Sequence, residues 1–199
     1  MISSYKTISK PSEPFLFKDK KSKFWGYAIP LNSEAELKLF IEKLKTDHNN
    51  ANHFCYAWQI GVDPPEFRYS DDGEPNNTAG APIYGQIQSF ELTQIGIVVL
   101  RIFGGVKLGP GGLISAYKTA AKGALELSNI ISISIKTPML LKFPYAQLHL
   151  VMRIIKKAKI HISKQEIKEL CMLEIQVPLK LEKSFKISIS KVRNCILTL

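Results

Sequence analysis

The segment QIGIVVLRIFGGVKLGPGGLISAYKTAAKGAL (94–125) carries the strongest structural signals in the chain. Residues 94–103 are mostly aliphatic, as in a buried strand. Residues 104–112 contain five of the chain's 12 glycines, which indicates a tight turn. Small and apolar residues then recur at the spacing of one helix face: Leu113, Ala116, Tyr117, Ala120 and Ala124. We therefore predict a buried strand, a glycine-rich turn and a helix that packs closely on a sheet.

Further elements are predicted before this segment. Ser33-Glu34-Ala35-Glu36 matches a capping box, in which the side chains of Ser33 and Glu36 each bond the other's backbone amide. The helix that follows has its apolar side chains on one face: Leu37, Phe40, Ile41 and Leu44. Residues 53–60 alternate as a strand does. Residues 61–82 are polar and rich in turn residues, and loops longer than ~12–15 residues are usually functional or mobile. We expect a functional loop there.

The last third has a regular order of elements. Hydrophobic periodicity predicts a strand at 131–139, a helix at 144–158, strands at 159–165 and 171–179, a helix at 181–192 and a strand at 194–199. This order is βαββαβ, the ferredoxin-like arrangement. The predicted fold class is therefore α+β with two domains, residues 1–132 and residues 133–199.

The charge distribution also divides the chain. The 199 residues carry 27 Lys+Arg and 17 Asp+Glu, a net charge of +10. Residues 1–132 contribute 14 − 13 = +1, and residues 133–199 contribute 13 − 4 = +9. No apolar stretch approaches the ~20 residues of a membrane span, and the first residues lack the apolar core of a secretory signal. Three cysteines form no disulfide or zinc pattern. We expect a cytoplasmic protein without a membrane partner.

Three carboxylates stand close together in RYSDDGEP (68–75). Asp71, Asp72 and Glu74 could bind a hard cation through oxygen, or they could pair with Arg68 and Arg101. Arg101 shares a strand face with buried aliphatic residues, so it needs a carboxylate partner. No His or fourth carboxylate stands at ligand spacing, so salt bridges are favoured over a metal, and neither a metal nor a cofactor is expected.

The glycine-rich turn is a candidate anion site. Glycines let backbone N–H groups turn inward, and the N-terminus of a helix adds partial positive charge. The candidate anion- or phosphate-binding residues are Gly104, Gly105, Lys107, Gly109, Gly111 and Gly112. The alternative is that these glycines serve only close packing and a tight reversal.

His53 and Cys55 share a strand face, as a catalytic Cys–His pair would. No third orienting residue is evident, and Cys55 has apolar neighbours. We therefore favour an inert core thiol and predict no catalytic residue.

Basic residues dominate the C-terminal domain. The candidate nucleic-acid contacts are Lys156, Lys157, Lys159, Lys183 and Lys186. The predicted open sheet face offers Ser132, Ser134, His161 and Gln176 and no aromatic side chain for base stacking. Any nucleic-acid binding should then depend on phosphate contacts and salt. A solvated basic surface without a ligand remains the alternative.

Several motifs together resemble the IMPACT/YigZ family. They are KSKF (21–24), HFCYAW (53–58), RYSDDGEP (68–75), TAGAP (78–82) and RIFGGVKLGPGGL (101–113). The polar residues within these motifs are His53, Arg68, Asp71, Asp72, Glu74 and Arg101. The C-terminal βαββαβ unit resembles the domain that follows in bacterial members.

The resemblance implies folds for both domains. It implies an N-terminal α/β domain like a small-subunit ribosomal protein and domain IV of the translocation elongation factor, and a C-terminal domain like domain V of that factor. Asn77, Ala81 and Ser115 depart from the usual pattern. Asn tolerates the left-handed backbone of the usual Gly at 77, whereas the loss of cations at 81 and 115 predicts weaker anion binding.

The resemblance also implies a role in translation or nucleic-acid binding, with no established reaction. The leading hypothesis is a non-enzymatic RNA- or ribosome-associated translation regulator. The alternatives are a phosphate- or nucleotide-handling enzyme that uses the SDDGEP carboxylates and the glycine-rich turn, and a protein-interaction module that acts on a translation factor.

Overall fold

The computed structural model describes residues 2–198 and shows a mixed α+β protein. The chain forms two compact units, Ser4–Ile133 and Ser134–Leu199, which we call the N-terminal and C-terminal units. Within the described residues, no helix is both long and apolar enough to cross a membrane.

The N-terminal unit is built on a five-stranded antiparallel sheet. The strands from Ser4 to Ser134, of which five form this sheet, are β1 (Ser4–Ile8), β2 (Phe15–Asp19), β3 (Ser22–Pro30), β4 (His53–Ile60), β5 (Glu66–Ser70), β6 (Ile95–Ile102) and β7 (Ile130–Ser134). The helices are α1 (Glu34–Asp47), α2 (Gly80–Ser89) and α3 (Gly109–Glu126). The sheet order is β2-β3-β6-β4-β5, and β1 and β7 form a separate pair. The aliphatic β6 therefore lies at the centre of the sheet.

Helices cover both faces of this sheet. Helices α2 and α3 pack on one face through residues such as Ile83 and Ala120, and α1 packs on the other through Leu37 and Ile41. Helix α3 lies unusually close to β3, because a Cβ added to Gly26 would lie 2.2 Å from the Ala120 carbonyl oxygen. This close packing explains the small side chains predicted for the inner face of α3.

The start of α1 differs from the predicted capping box. The Ser33 side chain makes no capping hydrogen bond, and its backbone carbonyl accepts from the Glu36 N–H at 3.2 Å instead. The Glu36 carboxylate accepts from the Asn32 N–H at 3.1 Å, one residue before the predicted position. Only the glutamate half of the motif therefore reaches back to the chain before the helix.

The predicted loop at 61–82 is more ordered than expected. It contains β5, which pairs with β4, and its last residues begin α2. Helix α2 was not predicted. The elements that bring the SDDGEP motif to the sheet were therefore only partly visible in the sequence.

The C-terminal unit has the element order βαββαβ. Its elements are β8 (Lys136–Pro144), α4 (Leu148–Lys157), β9 (His161–Glu166), β10 (Leu170–Pro178), α5 (Glu182–Ser190) and β11 (Ile196–Thr198). The sheet is antiparallel in the order β11-β8-β10-β9. One face is buried under the two helices, with Leu141, Leu173 and Phe185 in the core.

The predicted strand 131–139 is in fact two strands. Its first part is β7, which pairs with β1, and its second part belongs to β8 in the C-terminal sheet. Ser132 and Ser134 therefore do not lie on the open face of that sheet, contrary to the prediction. His161 and Gln176 do lie there: they are register partners of each other, and their chain neighbours Ile162 and Ile175 pack in the core on the other face.

Candidate functional site

The SDDGEP and RIFGG motifs meet at a buried ion pair. The Arg101 guanidinium donates to Oε1 of Glu74 at 2.7 Å, and the two residues are only 5% and 8% exposed. The Tyr117 hydroxyl on α3 donates to the same oxygen at 2.8 Å. Burial raises the pKa of Tyr117, so its hydroxyl stays protonated and remains a donor. The pair thus joins the SDDGEP loop (70–75), β6 and α3.

Two aromatic rings lie close to the Arg101 guanidinium. Its guanidinium carbon lies 5.4 Å from the centroid of Phe24 and 5.2 Å from that of Phe103. These distances are within the range of cation–π contacts. The structure therefore provides the carboxylate partner that the sequence required for Arg101.

Asp71 and Asp72 bond the backbone. Asp71 accepts from the N–H groups of Ala79 and Gly80 through Oδ1, at 2.9 and 2.8 Å, and from that of Asn77 through Oδ2 at 2.8 Å. Oδ2 of Asp72 accepts from the Phe54 N–H at 2.6 Å. Asp71 thus satisfies amides at the start of α2, and Asp72 fixes the loop to β4. Asn77 has the left-handed φ of 61° that its sequence predicted.

These carboxylates do not converge on a metal site. In the described part of the chain, no group of three or more His, Cys, Asp or Glu side chains is placed to hold a metal ion. Arg68 does not pair with them either. It pairs with Glu34 of α1 at 3.1 Å instead. The alternative in which Arg68 neutralises this cluster is therefore wrong.

His53 has a defined tautomer. Its Nδ1 lies 2.8 Å from the carbonyl oxygen of Asp72, which can only accept, so Nδ1 carries the proton. Its Nε2 lies 4.0 Å from Oε1 of Glu74. Cys55 is fully buried, its thiol donates to the Asp71 carbonyl at 2.9 Å, and burial raises its pKa. This is the environment of an unreactive core thiol.

The glycines of the glycine loop (104–112) serve different purposes. A Cβ at Gly104 would lie 2.1 Å from the backbone of Lys21, so this position requires glycine for packing. Gly105 and Gly109 have φ values of +85° and +76° and open space where a Cβ would be. Gly111 also faces open space, whereas Gly112 contacts Leu108. Packing and backbone conformation therefore account for Gly104, Gly105 and Gly109, and anion binding by this loop stays a prediction.

A cavity of about 440 Å³ lies between the SDDGEP loop and the glycine loop. We call it the motif cavity. It is lined by Asn52, His53, Glu74, Pro75, Arg101, Phe103, Lys107, Leu108, Gly109, Pro110 and Leu113. The structure therefore brings together five of the predicted residues: His53, Glu74, Arg101, Lys107 and Gly109.

The other candidate residues of these two motifs lie outside this lining, as do Ala81 and Ser115. They are Arg68, Asp71, Asp72, Gly104, Gly105, Gly111 and Gly112. The roles of Asn52, Phe103 and Tyr117 were not predicted from the sequence. For Tyr117 the signal was a tyrosine among the alanines of one helix face.

A second concave surface lies between α4 and α5 of the C-terminal unit. This basic groove has a volume of about 630 Å³, and it is lined by Arg153, Ile154, Lys157, Ala158, Lys159, Leu181, Ser184, Phe185 and Ser188. It contains two of the predicted contacts, Lys157 and Lys159. Lys156 and Lys183 are exposed elsewhere. The Nζ of Lys186 lies 2.6 Å from a Glu182 carboxylate oxygen in an ion pair within α5, and this pairing weakens the attraction of Lys186 for an anionic ligand.

Comparison with known proteins identifies relatives along most of the chain. The model of the Impact N-terminal domain matches residues 20–125. An IMPACT family member from Haemophilus influenzae is 35% identical over 159 residues, which cover 78% of this chain and 77% of the relative. The IMPACT family member YigZ from Escherichia coli is 38% identical over 109 residues, 54% of this chain and 53% of YigZ.

A solved structure described as that of a hypothetical protein has the same fold over nearly its full length. It is 27% identical, covers 99% of this chain and 97% of its own, and has a TM-score of 0.71. The motifs, the family model and the identity to the Haemophilus protein agree with one another. The chain therefore belongs to the IMPACT family.

Proposed function

We propose that this protein acts in the cytoplasm as an RNA- or ribosome-associated factor with a role in translation, and without catalysis of its own. Membership in the IMPACT family supports the translation part, since the motifs that define it imply translation-linked relatives. The observation that carries the RNA part is the basic groove.

The groove is suited to phosphate groups. Among the described residues, no carboxylate lies within 4 Å of the charged groups of Arg153, Lys157 and Lys159. The side chains lining the groove include no Asp or Glu. Three other lysines of this unit, Lys164, Lys168 and Lys186, are instead paired with neighbouring glutamates. Side-chain cations without a carboxylate partner can neutralise phosphates and release the counterions condensed on the nucleic acid, which favours binding.

The side chains on the open face of the C-terminal sheet indicate how RNA would bind. The open face of the C-terminal sheet carries Leu140, Lys142, Met172, Glu174, Gln176 and His161, and no Phe, Tyr or Trp among its described residues. Base stacking on this face is therefore limited to the His161 ring. Affinity would come from phosphate contacts and from the shape of the RNA.

The proposed domain folds are those that the family resemblance implies. The βαββαβ order and the sheet order β11-β8-β10-β9 support a ferredoxin-like C-terminal domain similar to domain V of the translocation elongation factor. The five-stranded sheet with helices on both faces supports an N-terminal domain like a ribosomal protein and domain IV of that factor. Each domain, residues 1–132 and 133–199, would then belong to a fold class found in translation factors.

Filter binding to a fragment of ribosomal RNA across a salt series tests this proposal. We expect the Lys157→Gln/Lys159→Gln variant to bind more weakly and to lower the slope of log K against log salt by about 2, about 1 per lost phosphate contact. The matched control is Lys164→Gln/Lys168→Gln, because each of these lysines is paired with a glutamate in the same unit. Equal losses in both variants would contradict the proposal, as would a wild-type Kd of ~10⁻⁴ M or weaker at physiological salt.

A second candidate function, a protein-interaction module, is supported by exposed aromatic rings. Phe67 and Tyr69 on the edge strand β5 stack with Tyr84 of α2, with centroid distances of 4.5 and 6.1 Å, and Phe67 is 53% exposed. Ribosome association that survives nuclease treatment and is lost in a Phe67→Ser/Tyr69→Ser variant would favour this function over RNA binding. The enzyme alternative has no comparable support, because Asp71 and Asp72 bond backbone amides.

A further inference from the structure

We propose that the motif cavity binds a 5′-phosphorylated nucleotide, with the phosphate held at Lys107, His53 and the start of α3, and the base stacked on Phe103. The site lies within the N-terminal unit and does not involve the basic groove, so this inference is independent of the RNA-binding function proposed above.

The charges around the cavity favour an anion. The Arg101 charge is matched by Glu74, whereas Lys107 is exposed and has no carboxylate within 4 Å in residues 2–198. The 18-residue helix α3 begins at the cavity with no acidic residue in its first turn and no side-chain cap. Pro110 has no N–H group, but the N–H groups of Gly109, Gly111 and Gly112 are available to an anion, and the helix dipole adds positive potential there.

Two polar side chains in the cavity wall have hydrogen-bonding capacity that the protein does not use. The Arg101 side chain lines the cavity, is 6% exposed, and its Nε has no hydrogen-bond partner in the described structure. Because the Asp72 carbonyl holds the His53 proton at Nδ1, its Nε2 is left as an acceptor beside Glu74. A phosphate monoester carries both acceptor oxygens for the cations and, when singly protonated, a hydroxyl donor for Nε2.

The remaining wall suits a flat ring. The apolar lining residues are Pro75, Phe103, Leu108, Pro110 and Leu113. Phe103 is 43% exposed, although Arg101 covers one side of its ring. An aromatic ring that is held on one face and open on the other is a stacking platform for a base. The cavity volume of about 440 Å³ is within the range of small-molecule sites.

The anion requirement and the ring requirement can be tested separately by calorimetric titration of the full-length protein. We expect AMP to bind at least ~10-fold more tightly than ribose 5-phosphate, which lacks the base, or adenosine, which lacks the phosphate. We expect Lys107→Gln to weaken AMP binding ~10-fold or more, as for the loss of a charge-assisted contact. The matched control is Lys118→Gln, an exposed lysine on α3 outside the cavity lining.

A second comparison distinguishes a free nucleotide from an RNA end. In the Lys157→Gln/Lys159→Gln background, a 5′-phosphorylated oligoribonucleotide that binds as tightly as AMP, while its 5′-hydroxyl form does not, would identify an RNA terminus. Tight binding of AMP alone would identify a free nucleotide.

The two proposals fail separately. If the proposal of RNA binding at the basic groove is wrong but that of nucleotide binding in the motif cavity is correct, AMP binding persists and RNA filter binding is unaffected by the groove substitutions. The absence of saturable AMP or GMP binding up to about 5 mM would overturn the cavity proposal. Equal AMP affinity in the Lys107→Gln and Lys118→Gln variants would also overturn it.

Discussion

Glu74 is the residue on which the polar network of the N-terminal unit depends. Its Oε1 accepts from both Arg101 and Tyr117, and all three side chains are buried. A buried arginine that loses its carboxylate keeps a charge that neither water nor another group can compensate. The carboxylate therefore stabilises the fold mainly by preventing an unpaired buried cation.

We predict that Glu74→Gln lowers the free energy of unfolding by about 3 kcal/mol. The amide keeps an oxygen for Tyr117 but removes the charge that Arg101 requires. Urea denaturation measures the change, and Glu42→Gln is the control because Glu42 forms an exposed i,i+3 pair with Lys45. The control should change stability by ~0.5 kcal/mol or less. A Glu74 variant as stable as the control would show that the ion pair is not a structural requirement.

Asp71 has a different role, because its carboxylate replaces a missing helix cap. Helix α2 has no side-chain cap at Ala79. Asp71 lies eight residues before Ala79 and nine before Gly80 in the chain, and it accepts hydrogen bonds from the N–H groups of both. An asparagine would present an N–H group to one of these donors. We predict that Asp71→Asn costs about 1–3 kcal/mol of stability in urea denaturation.

The same variant tests cation binding. We expect Mg²⁺ and Mn²⁺ to leave the wild-type Tm unchanged within error, because the Asp71 oxygens are already used by N–H groups. Asp47→Asn is the control for the stability measurement, because Asp47 is exposed and its substitution should change the free energy of unfolding by ~0.5 kcal/mol or less. A Tm increase with Mg²⁺ that disappears in Asp71→Asn would instead support the enzyme alternative.

At the scale of elements, periodicity determined what could be predicted. The aliphatic run at 94–103 and the small-residue face after it correspond to β6 and α3. Helix α2 was missed because Gly80, Pro82 and Gly85 lower the helix propensity of a ten-residue segment. Tertiary contacts compensate, since Asp71 caps this helix and Ile83 is buried under the sheet.

Two other failures have physical causes. The alternation of 131–139 is continuous across Ile135, so nothing in the sequence marks where the chain leaves one sheet for another. The partner of Arg101 could not be chosen among three adjacent carboxylates, because the path of the SDDGEP loop decides which one is buried. The sequence showed that Arg101 needs a carboxylate partner, but it did not show which carboxylate lies within reach.

The contact between α3 and β3 supplies a prediction at this scale. Gly26→Ala should destabilise the protein by about 3 kcal/mol, because its Cβ would meet the backbone of Ala120 and the helix would have to move. Thermal and urea unfolding measure the effect. Gly85→Ala in α2 is the matched control, with no atom within 4 Å of the new Cβ. It should be neutral or stabilise by up to ~1 kcal/mol through helix propensity. Equal effects of the two substitutions would show that α3 does not depend on close approach at Gly26.

For the whole molecule, the location of charge matters more than its sum. The net charge is +10, but residues 1–132 contribute only +1 of it. Long-range attraction to a polyanion depends on total charge, whereas tight binding depends on cations that can contact phosphates together. In the C-terminal unit, Arg153, Lys157 and Lys159 line one groove, while Lys186 is paired with Glu182.

This difference predicts the behaviour of two variants with equal net charge. Replacing Arg153, Lys157 and Lys159 by glutamine gives 10 − 3 = +7, and replacing Lys38, Lys43 and Lys45 of α1 gives the same +7. We expect the groove variant to elute from heparin at clearly lower salt than wild type, because about three phosphate-type contacts are lost. The α1 variant should elute close to wild type, since Lys38 and Lys45 are paired with Glu34 and Glu42. Equal elution shifts would show that polyanion affinity follows net charge, and the groove would then be an ordinary basic surface.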